Sequence, residues 1–184
     1  SGTERLHGAS PAVSLARLAK RVEEEIGITV SIGLSFSKFL AKVASDLDKP
    51  RGFSVIGKAE TEAFLKPKPV RIIWGVGQAT QTALEGAGIR TIADLLRWDR
   101  ADLGARVGSM GDRLWHLARG LDTRRVNRDE KLKSISKETT FFEDTSDPDI
   151  LDGHLWRLSE QVADRAKAQH LRGRTVTPKP TRTE

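Results

Sequence analysis

The 184-residue sequence contains no cysteine, which excludes disulfide bonds and thiolate metal sites. No window approaches the roughly 18 unbroken apolar residues that a membrane helix needs. The start of the chain lacks the basic residues and apolar run of a secretory signal peptide. The four histidines lie far apart, without metal-ligand spacing. These absences exclude a disulfide scaffold and predict a cytoplasmic protein with no metal site of its own.

Basic residues outnumber acidic ones along the chain. With 31 lysines and arginines against 25 aspartates and glutamates, the net charge is +6 and the isoelectric point is about 9.8. The excess is densest at 124–137 and 165–182. This balance favours a polyanionic partner, but charge alone does not distinguish DNA from RNA or an acidic lipid surface.

A glycine-centred stretch, 70–96, has the pattern of two short helices joined by a tight turn. Glycine allows the positive φ and the close backbone approach that such a turn needs. The second helix is predicted to begin at Gln78, so the amides at its start would face outward and could hold an anion. The predicted phosphate-binding residues are Gly75, Val76, Gly77, Gln78 and Ala79. This helix-hairpin-helix pattern predicts DNA binding without base reading, although an ordinary corner between helices would use the same glycines.

A second glycine turn, in the sequence VGSMG, is a weaker copy of the first. Gly108, Ser109 and Gly111 precede a predicted helix that ends at Arg119, with Gly120 as its C-terminal cap. Two such turns in one helical domain would hold one nucleic-acid backbone at two places. We therefore include these three residues among the predicted DNA contacts.

Apolar periodicity divides the chain into a mixed first part, a helical middle and a mixed end. The first part is predicted as a helix at 10–26 with Ser10 as its N-cap, a strand at 28–34, a helix capped by Ser35 or Ser37, and a strand at 53–56. In the helical middle, Thr91 with Asp94 predicts a capping box at the start of a helix. The end is predicted as a strand at 134–142, a helix at 148–171 and a strand from 174 that Pro178 and Pro180 terminate. The fold class is therefore α+β. Because an isolated pair of strands is marginal in water, we expect the first domain to be incomplete.

In order and spacing, these segments resemble a Y-family translesion DNA polymerase of the bacterial DNA polymerase IV kind. The segments that carry the resemblance are GTERLHG, GITVSIGLSFSKFLAKVASDLDKPRG, RIIWGVGQATQTALEGAGIRTIADLL, LWHLARGLD and KSISKETTF. They cover nearly the whole chain, from Gly2 to about Val176.

The resemblance implies part of a right-hand polymerase that adds deoxynucleotides opposite damaged template bases by two-metal phosphoryl transfer. The implied domains are a partial palm at 1–57, a helical thumb at 58–121, a linker at 122–132 and a partial little finger at 133–184. The implied partners are primer-template duplex DNA and, for the full-length enzyme, the incoming deoxynucleotide and the sliding clamp. Mg²⁺ would be the cofactor of that full-length enzyme.

The catalytic carboxylates of this family would lie before Ser1, and no acidic pair in the sequence replaces them. Asp46 and Asp48 flank a predicted helix end, and 23–25 is a solvated glutamate run. We therefore predict that this chain has no catalytic residue and no metal ligand, and that it is inactive as a polymerase alone.

In the family, the lysine of the DKP-G segment, here Lys49, contacts the triphosphate of the incoming nucleotide. A flexible point charge suits a mobile polyphosphate. Lys38 and Lys42 precede it at helical spacing, and for these two we favour a solvated lysine edge.

Two further expectations concern the first hairpin. Many relatives have proline where this chain has Trp74, and we expect the ring to pack under the turn. At the level of the family, main-chain carbonyls just before Gly75 could bind a monovalent cation.

The resemblance places the strand at 133–140 against the template backbone across the major groove. The residues assigned to DNA are Lys133, Ser134, Ser136, Lys137 and Thr139, because lysines and hydroxyls suit phosphates. Glu138 is assigned away from DNA. The alternative is a plain edge strand whose lysines oppose aggregation. The end, TVTPKPTRTE, departs from the family pattern, which continues into further strands.

Two other functions stay open. A catalysis-free polymerase-like adaptor would bind DNA and recruit partners, and the sequence before Ser1 would distinguish it from a polymerase. A helix-hairpin-helix DNA glycosylase would need a catalytic aspartate or lysine beside the hairpin. Lys68 and Asp94 lie there, but two strand-containing domains do not suit that fold.

Overall fold

A computed structural model describes residues 3–127 and 132–179 of the chain. The chain divides into two compact units, Ser1–Val126 and Asn127–Glu184. This division lies inside the predicted linker, of which residues 128–131 fall outside the described ranges; the domain bounds stay predictions. The elements are α1 (Thr3–His7), α2 (Pro11–Ile26), β1 (Ile32–Ser35), α3 (Lys38–Leu47), β2 (Phe53–Ile56), α4 (Thr61–Leu65), a 3₁₀ turn (Val70–Ile72), α5 (Gln78–Glu85), α6 (Ile92–Leu95), α7 (Arg100–Val107), α8 (Ser109–Ala118) and α9 (Pro148–Ala168).

The first unit begins with a strand–helix–strand layer. β1 and β2 pair in parallel, with Ile32 opposite Phe53, and α3 connects them. Gly33 allows α3 to pack closely, because a Cβ on Gly33 would lie 2.1 Å from the carbonyl oxygen of Ala41. Helices combined with this small sheet confirm the predicted α+β class.

Local capping residues set the bounds of these helices. Ser10 caps α2, and Gly27 ends it with a φ of 77°. Of the two serines considered for α3, Ser37 is the cap: its Oγ accepts a hydrogen bond from the Leu40 amide at 3.3 Å. Ser35 belongs instead to β1.

The first strand is shorter than the predicted 28–34. Pairing begins at Ile32, because its partner β2 begins only at Phe53. Ile28 is 56% exposed, so the alternating pattern upstream of the pairing does not form a buried face. The strand prediction for residues 28–31 was wrong.

Helices α4 to α8 enclose most of the core of the first unit. An isolated bridge between Pro69 and Thr91 joins the two ends of the hairpin. Thr91 and Asp94 form the predicted capping box at the start of α6. The fully buried side chains of this region are Leu65, Ile73, Leu84, Ile89, Ile92, Leu95, Leu103 and Leu114. They fix the hairpin against α7 and α8.

In the second unit, α9 is the only helix or strand among the described residues at 132–179. The strands predicted at 134–142 and from 174 are absent there, because a strand needs a paired neighbour to satisfy its backbone groups. Both strand predictions were wrong. Phe141 packs edge-on against His154 of α9, with ring centroids 4.7 Å apart.

Within the described ranges, no helix has both the length and the apolar character that crossing a membrane requires.

Candidate nucleic-acid interface

The predicted glycine turn forms at the start of α5. Gly75 has a φ of 100°, a conformation that side chains carrying a Cβ rarely adopt. The Val76 amide donates to the Ile73 carbonyl at 3.1 Å, and the Gly77 amide donates to the Gly75 carbonyl at 3.1 Å. These two bonds reverse the chain directly before α5.

The first amides of α5 have no acceptor within the helix. Helix geometry leaves the amides of Gln78, Ala79 and Thr80 without intrahelical partners, and no side chain caps this end of the helix. These N–H groups and the positive end of the helix dipole suit an anion such as a backbone phosphate.

The space beside Gly77, in front of these amides, contains no protein atom that a side chain would meet. The φ of −83° and ψ of 178° at Gly77 are available to any residue, and a Cβ built on Gly77 would meet nothing within 4 Å. The fold therefore does not require glycine at this position. Close approach of a ligand to the backbone would require it.

Trp74 does not pack under the turn, so that expectation was wrong. Its side chain is 66% exposed, and the guanidinium of Arg113 lies 5.7 Å from its ring centroid. Arg113 Nη2 also donates to the Trp74 carbonyl at 3.0 Å. The carbonyl just before Gly75 therefore has a cationic partner within the chain.

The second glycine turn differs from the first. Gly108 has φ 62° and caps α8, whereas Gly111 lies inside α8 and is buried. A Cβ on Gly111 would lie 2.4 Å from the Leu103 backbone, and the Gly111 amide donates to the Gly108 carbonyl at 2.9 Å. Gly111 thus lets α8 pack closely on α7, a structural role that explains a glycine here without a ligand; its assignment to DNA stays a prediction. Gly108 and Ser109 stay candidates.

Two lysines, Lys42 in α3 and Lys49 just after its end, pair with the same carboxylate, that of Asp46. Lys49 Nζ is 2.6 Å from one Asp46 oxygen, and Lys42 pairs with the other. Hydrogen bonds from Lys42 and then Lys49 lower the pKa of the Asp46 carboxyl. Both lysines are more than half exposed. Lys42 and Asp46 also line an open groove of about 380 Å³ that includes Arg71 and Trp74, so α3 and the hairpin share this groove.

The residues predicted to bind DNA in the second unit are exposed but do not form a strand. They are Lys133, Ser134, Ser136, Lys137 and Thr139. Without a strand, the predicted division of their side chains between two faces does not occur, and the assignment of Glu138 away from DNA has no geometric basis.

Asp122 is a buried carboxylate that sequence reasoning assigned to the linker. Its side chain is 2% exposed and accepts a hydrogen bond from the Phe39 amide at 2.8 Å, at the start of α3. Arg124 Nε donates to it at 2.8 Å. The Arg124 hydrogen bond is the main cause that lowers the Asp122 pKa to about 2. No local pattern could have predicted the contact with Phe39, because the two residues are 83 positions apart.

The described residues do not fit a two-metal site. No group of three or more histidine, aspartate or glutamate side chains is placed among them to hold a metal ion. We therefore assign no step to Mg²⁺ in this chain.

Three family models match successive parts of the chain. The impB/mucB/samB family model matches residues 1–46, the helix-hairpin-helix motif model of the same family matches 58–89, and its C-terminal domain model matches 132–182. The chain therefore belongs to the impB/mucB/samB family, which is a family of Y-family DNA polymerases. The motif match contains Gly75, Gly77 and α5, the elements of the glycine turn described above.

Curated relatives of the family agree with this assignment. The chain is 58% identical to "DNA polymerase IV 1" of Mesorhizobium japonicum over 97% of the chain and 41% of that relative. It is 57% identical to DNA polymerase IV of Brucella melitensis over 97% of the chain and 40% of the relative. The chain therefore spans less than half of the length of either relative.

Solved structures of the family share the fold. DinB from Sulfolobus solfataricus is 28% identical, with a TM-score of 0.54 over 59% of this chain and 32% of its own. A Y-family DNA polymerase chimera of Dbh and Dpo4 gives a TM-score of 0.68 at 24% identity, over 84% of this chain and 45% of its own. The second likeness shows the fold alone.

Proposed function

We propose that this chain is the DNA-binding part of a translesion DNA-directed DNA polymerase, acting in damage tolerance in the cytoplasm. The observation that carries the proposal is the glycine turn at the start of α5, which lies within the matched helix-hairpin-helix motif. Its uncapped amides suit a phosphate, and the relatives are named DNA polymerase IV.

The proposed contact is with the sugar-phosphate backbone of primer-template duplex DNA. The amides of Gln78 and Ala79, which follow the turn at Gly75, Val76 and Gly77, hold one phosphate. Ser109, which follows the turn at Gly108, holds another. Such contacts position the duplex but carry no sequence information. The exposed lysines and hydroxyls at 133–139 supply further phosphate contacts from the second unit.

In the full-length polymerase, Lys49 would contact the triphosphate of the incoming deoxynucleotide. Its 58% exposure and its place beside Lys42 support this role. In the absence of a ligand, the Asp46 carboxylate pairs with the Lys49 ammonium group, and the triphosphate would replace Asp46 as its partner. We propose Mg²⁺ and the sliding clamp as partners of the full-length polymerase only.

Duplex DNA should bind the chain with an affinity that falls as salt rises. Each phosphate contact contributes a slope of about −0.9 in log affinity against log salt, so two to four contacts predict about a 10- to 100-fold loss between about 50 and 200 mM salt. Fluorescence anisotropy with a labelled duplex measures this slope. An affinity that does not change with salt would contradict the proposal.

The purified chain should not extend a primer in the presence of Mg²⁺. Two-metal catalysis requires a cluster of acidic side chains, and the described residues do not form one. A primer-extension gel with all four deoxynucleotides provides the measurement, and DNA binding measured on the same sample is its control. Incorporation of even one nucleotide by the chain would refute this prediction.

A further inference from the structure

Arg113 on α8 contacts the hairpin turn from 39 residues along the chain. Its Nη2 donates to the Trp74 carbonyl at 3.0 Å, and its guanidinium lies over the Trp74 ring. Its Nη1 lies 3.4 Å from the position of a Cβ built on Gly75. The guanidinium therefore lies directly against the first residue of the turn.

This contact leaves part of the guanidinium free. Nη1 and Nε make no hydrogen bond with a described residue, and the side chain is half-buried. Guanidinium stays charged at ordinary pH and presents five donors in a planar fork that matches a phosphate. Because the Trp74 carbonyl and ring already orient the fork, little side-chain entropy remains to be lost on binding.

We propose that Arg113 is a further phosphate-binding residue of the hairpin, held in position by Trp74. Its free donors take a phosphodiester oxygen of the duplex beside the amides of Gln78 and Ala79. The inference rests on the proposed DNA-binding function and adds a side-chain contact to the main-chain contacts of the turn.

Replacing Arg113 with alanine should change the salt dependence of binding as well as the affinity. Loss of one phosphate contact makes the slope of log affinity against log salt shallower by about 0.9 and weakens binding about five- to tenfold near 100 mM salt. Anisotropy titrations of one labelled duplex at four salt concentrations measure both quantities.

Two further variants separate this role from a loss of charge or of fold. Arg113→Lys keeps the charge but not the fork, so the slope should stay that of the wild-type chain while affinity falls about two- to threefold. Arg90→Ala removes a charge after the far end of α5, where the Arg90 side chain is exposed, and should change the slope by less than about 0.3. Circular dichroism melts confirm that each variant is folded.

The outcomes distinguish this inference from the function on which it rests. If the wild-type chain binds duplex DNA and Gly77→Val weakens binding, but Arg113→Ala has the wild-type slope, the inference on Arg113 fails alone. A lower affinity with an unchanged slope overturns it too, because that result assigns Arg113 a supporting role only. If the wild-type chain does not bind duplex DNA, the proposed function and the inference both fail.

Discussion

Replacing Asp122 with alanine is expected to lower the free energy of unfolding of the first unit by about 2 kcal/mol at pH 7, since a backbone amide that loses its buried acceptor typically costs about 1–3 kcal/mol. The 2%-exposed carboxylate accepts hydrogen bonds from the Phe39 amide and from Arg124. Without it, the start of α3 loses an acceptor and Arg124 loses its partner. Urea denaturation followed by circular dichroism measures the loss.

The same carboxylate predicts a pH dependence. Because the folded pKa is depressed from 3.8 to about 2, the stabilisation is present above the unfolded pKa and is lost as the pH falls towards 2. The shift corresponds to about 2 kcal/mol. The difference in stability between the wild-type chain and Asp122→Asn should therefore be about 2 kcal/mol at pH 7 and should shrink by pH 3.

A matched control separates this effect from general acid sensitivity. The carboxylate of Asp102 is exposed and makes no hydrogen bond with a described residue, so Asp102→Asn should change stability by no more than about 0.5 kcal/mol at either pH. Equal losses in the two asparagine variants, or an Asp122→Asn loss that is the same at pH 3 and pH 7, would contradict the buried hydrogen-bonded role of Asp122.

Replacing Gly77 with valine is expected to weaken duplex binding by at least about tenfold, which is about 1.4 kcal/mol. The new side chain would stand in front of the first amides of α5, while a Cβ at that position meets no protein atom within 4 Å. The backbone angles of Gly77 are available to valine. We therefore expect a loss of stability of about 1 kcal/mol or less, from the poorer helix cap.

Gly104→Val is the matched control for this variant. Gly104 lies in α7, and a Cβ built there also meets nothing within 4 Å. The same substitution at this open position should leave duplex affinity within about twofold of the wild-type chain. Thermal melts of both variants show whether either effect comes from unfolding.

Sequence patterns predicted the parts of this fold that depend on neighbouring residues. The Ser10 and Ser37 caps, the capping box at Thr91 and the glycine turn all involve partners within a few positions. Short-range hydrogen bonds and backbone preferences decide such features, so a local pattern predicts them.

The features that the sequence did not predict depend on distant partners. β1 begins where β2 begins, and the strands expected at 134–142 and from 174 have no partner among the described residues. Arg113 reaches the hairpin from 39 residues away. An alternating pattern shows that a segment could pair but does not say whether a neighbour is present.

Gly111 shows the same limit within the candidate site. The sequence around Gly111 resembles that of the first glycine turn, but the Gly111 backbone packs against Leu103 of α7. Glycine serves close helix packing as well as ligand approach, and only the tertiary arrangement distinguishes the two. Gly111 is packed against Leu103, whereas the space beside Gly77 is open, which ligand approach would need.

The most direct test of DNA binding by the hairpin is the ratio of dissociation constants of Gly77→Val and the wild-type chain, measured by anisotropy on two duplexes of unrelated sequence. Main-chain amides that hold a phosphate do not read bases, so the ratio should be at least about 10 and equal on both duplexes. A ratio near 1, or one that differs several-fold between the duplexes, would contradict the hairpin as a sequence-independent phosphate-binding site.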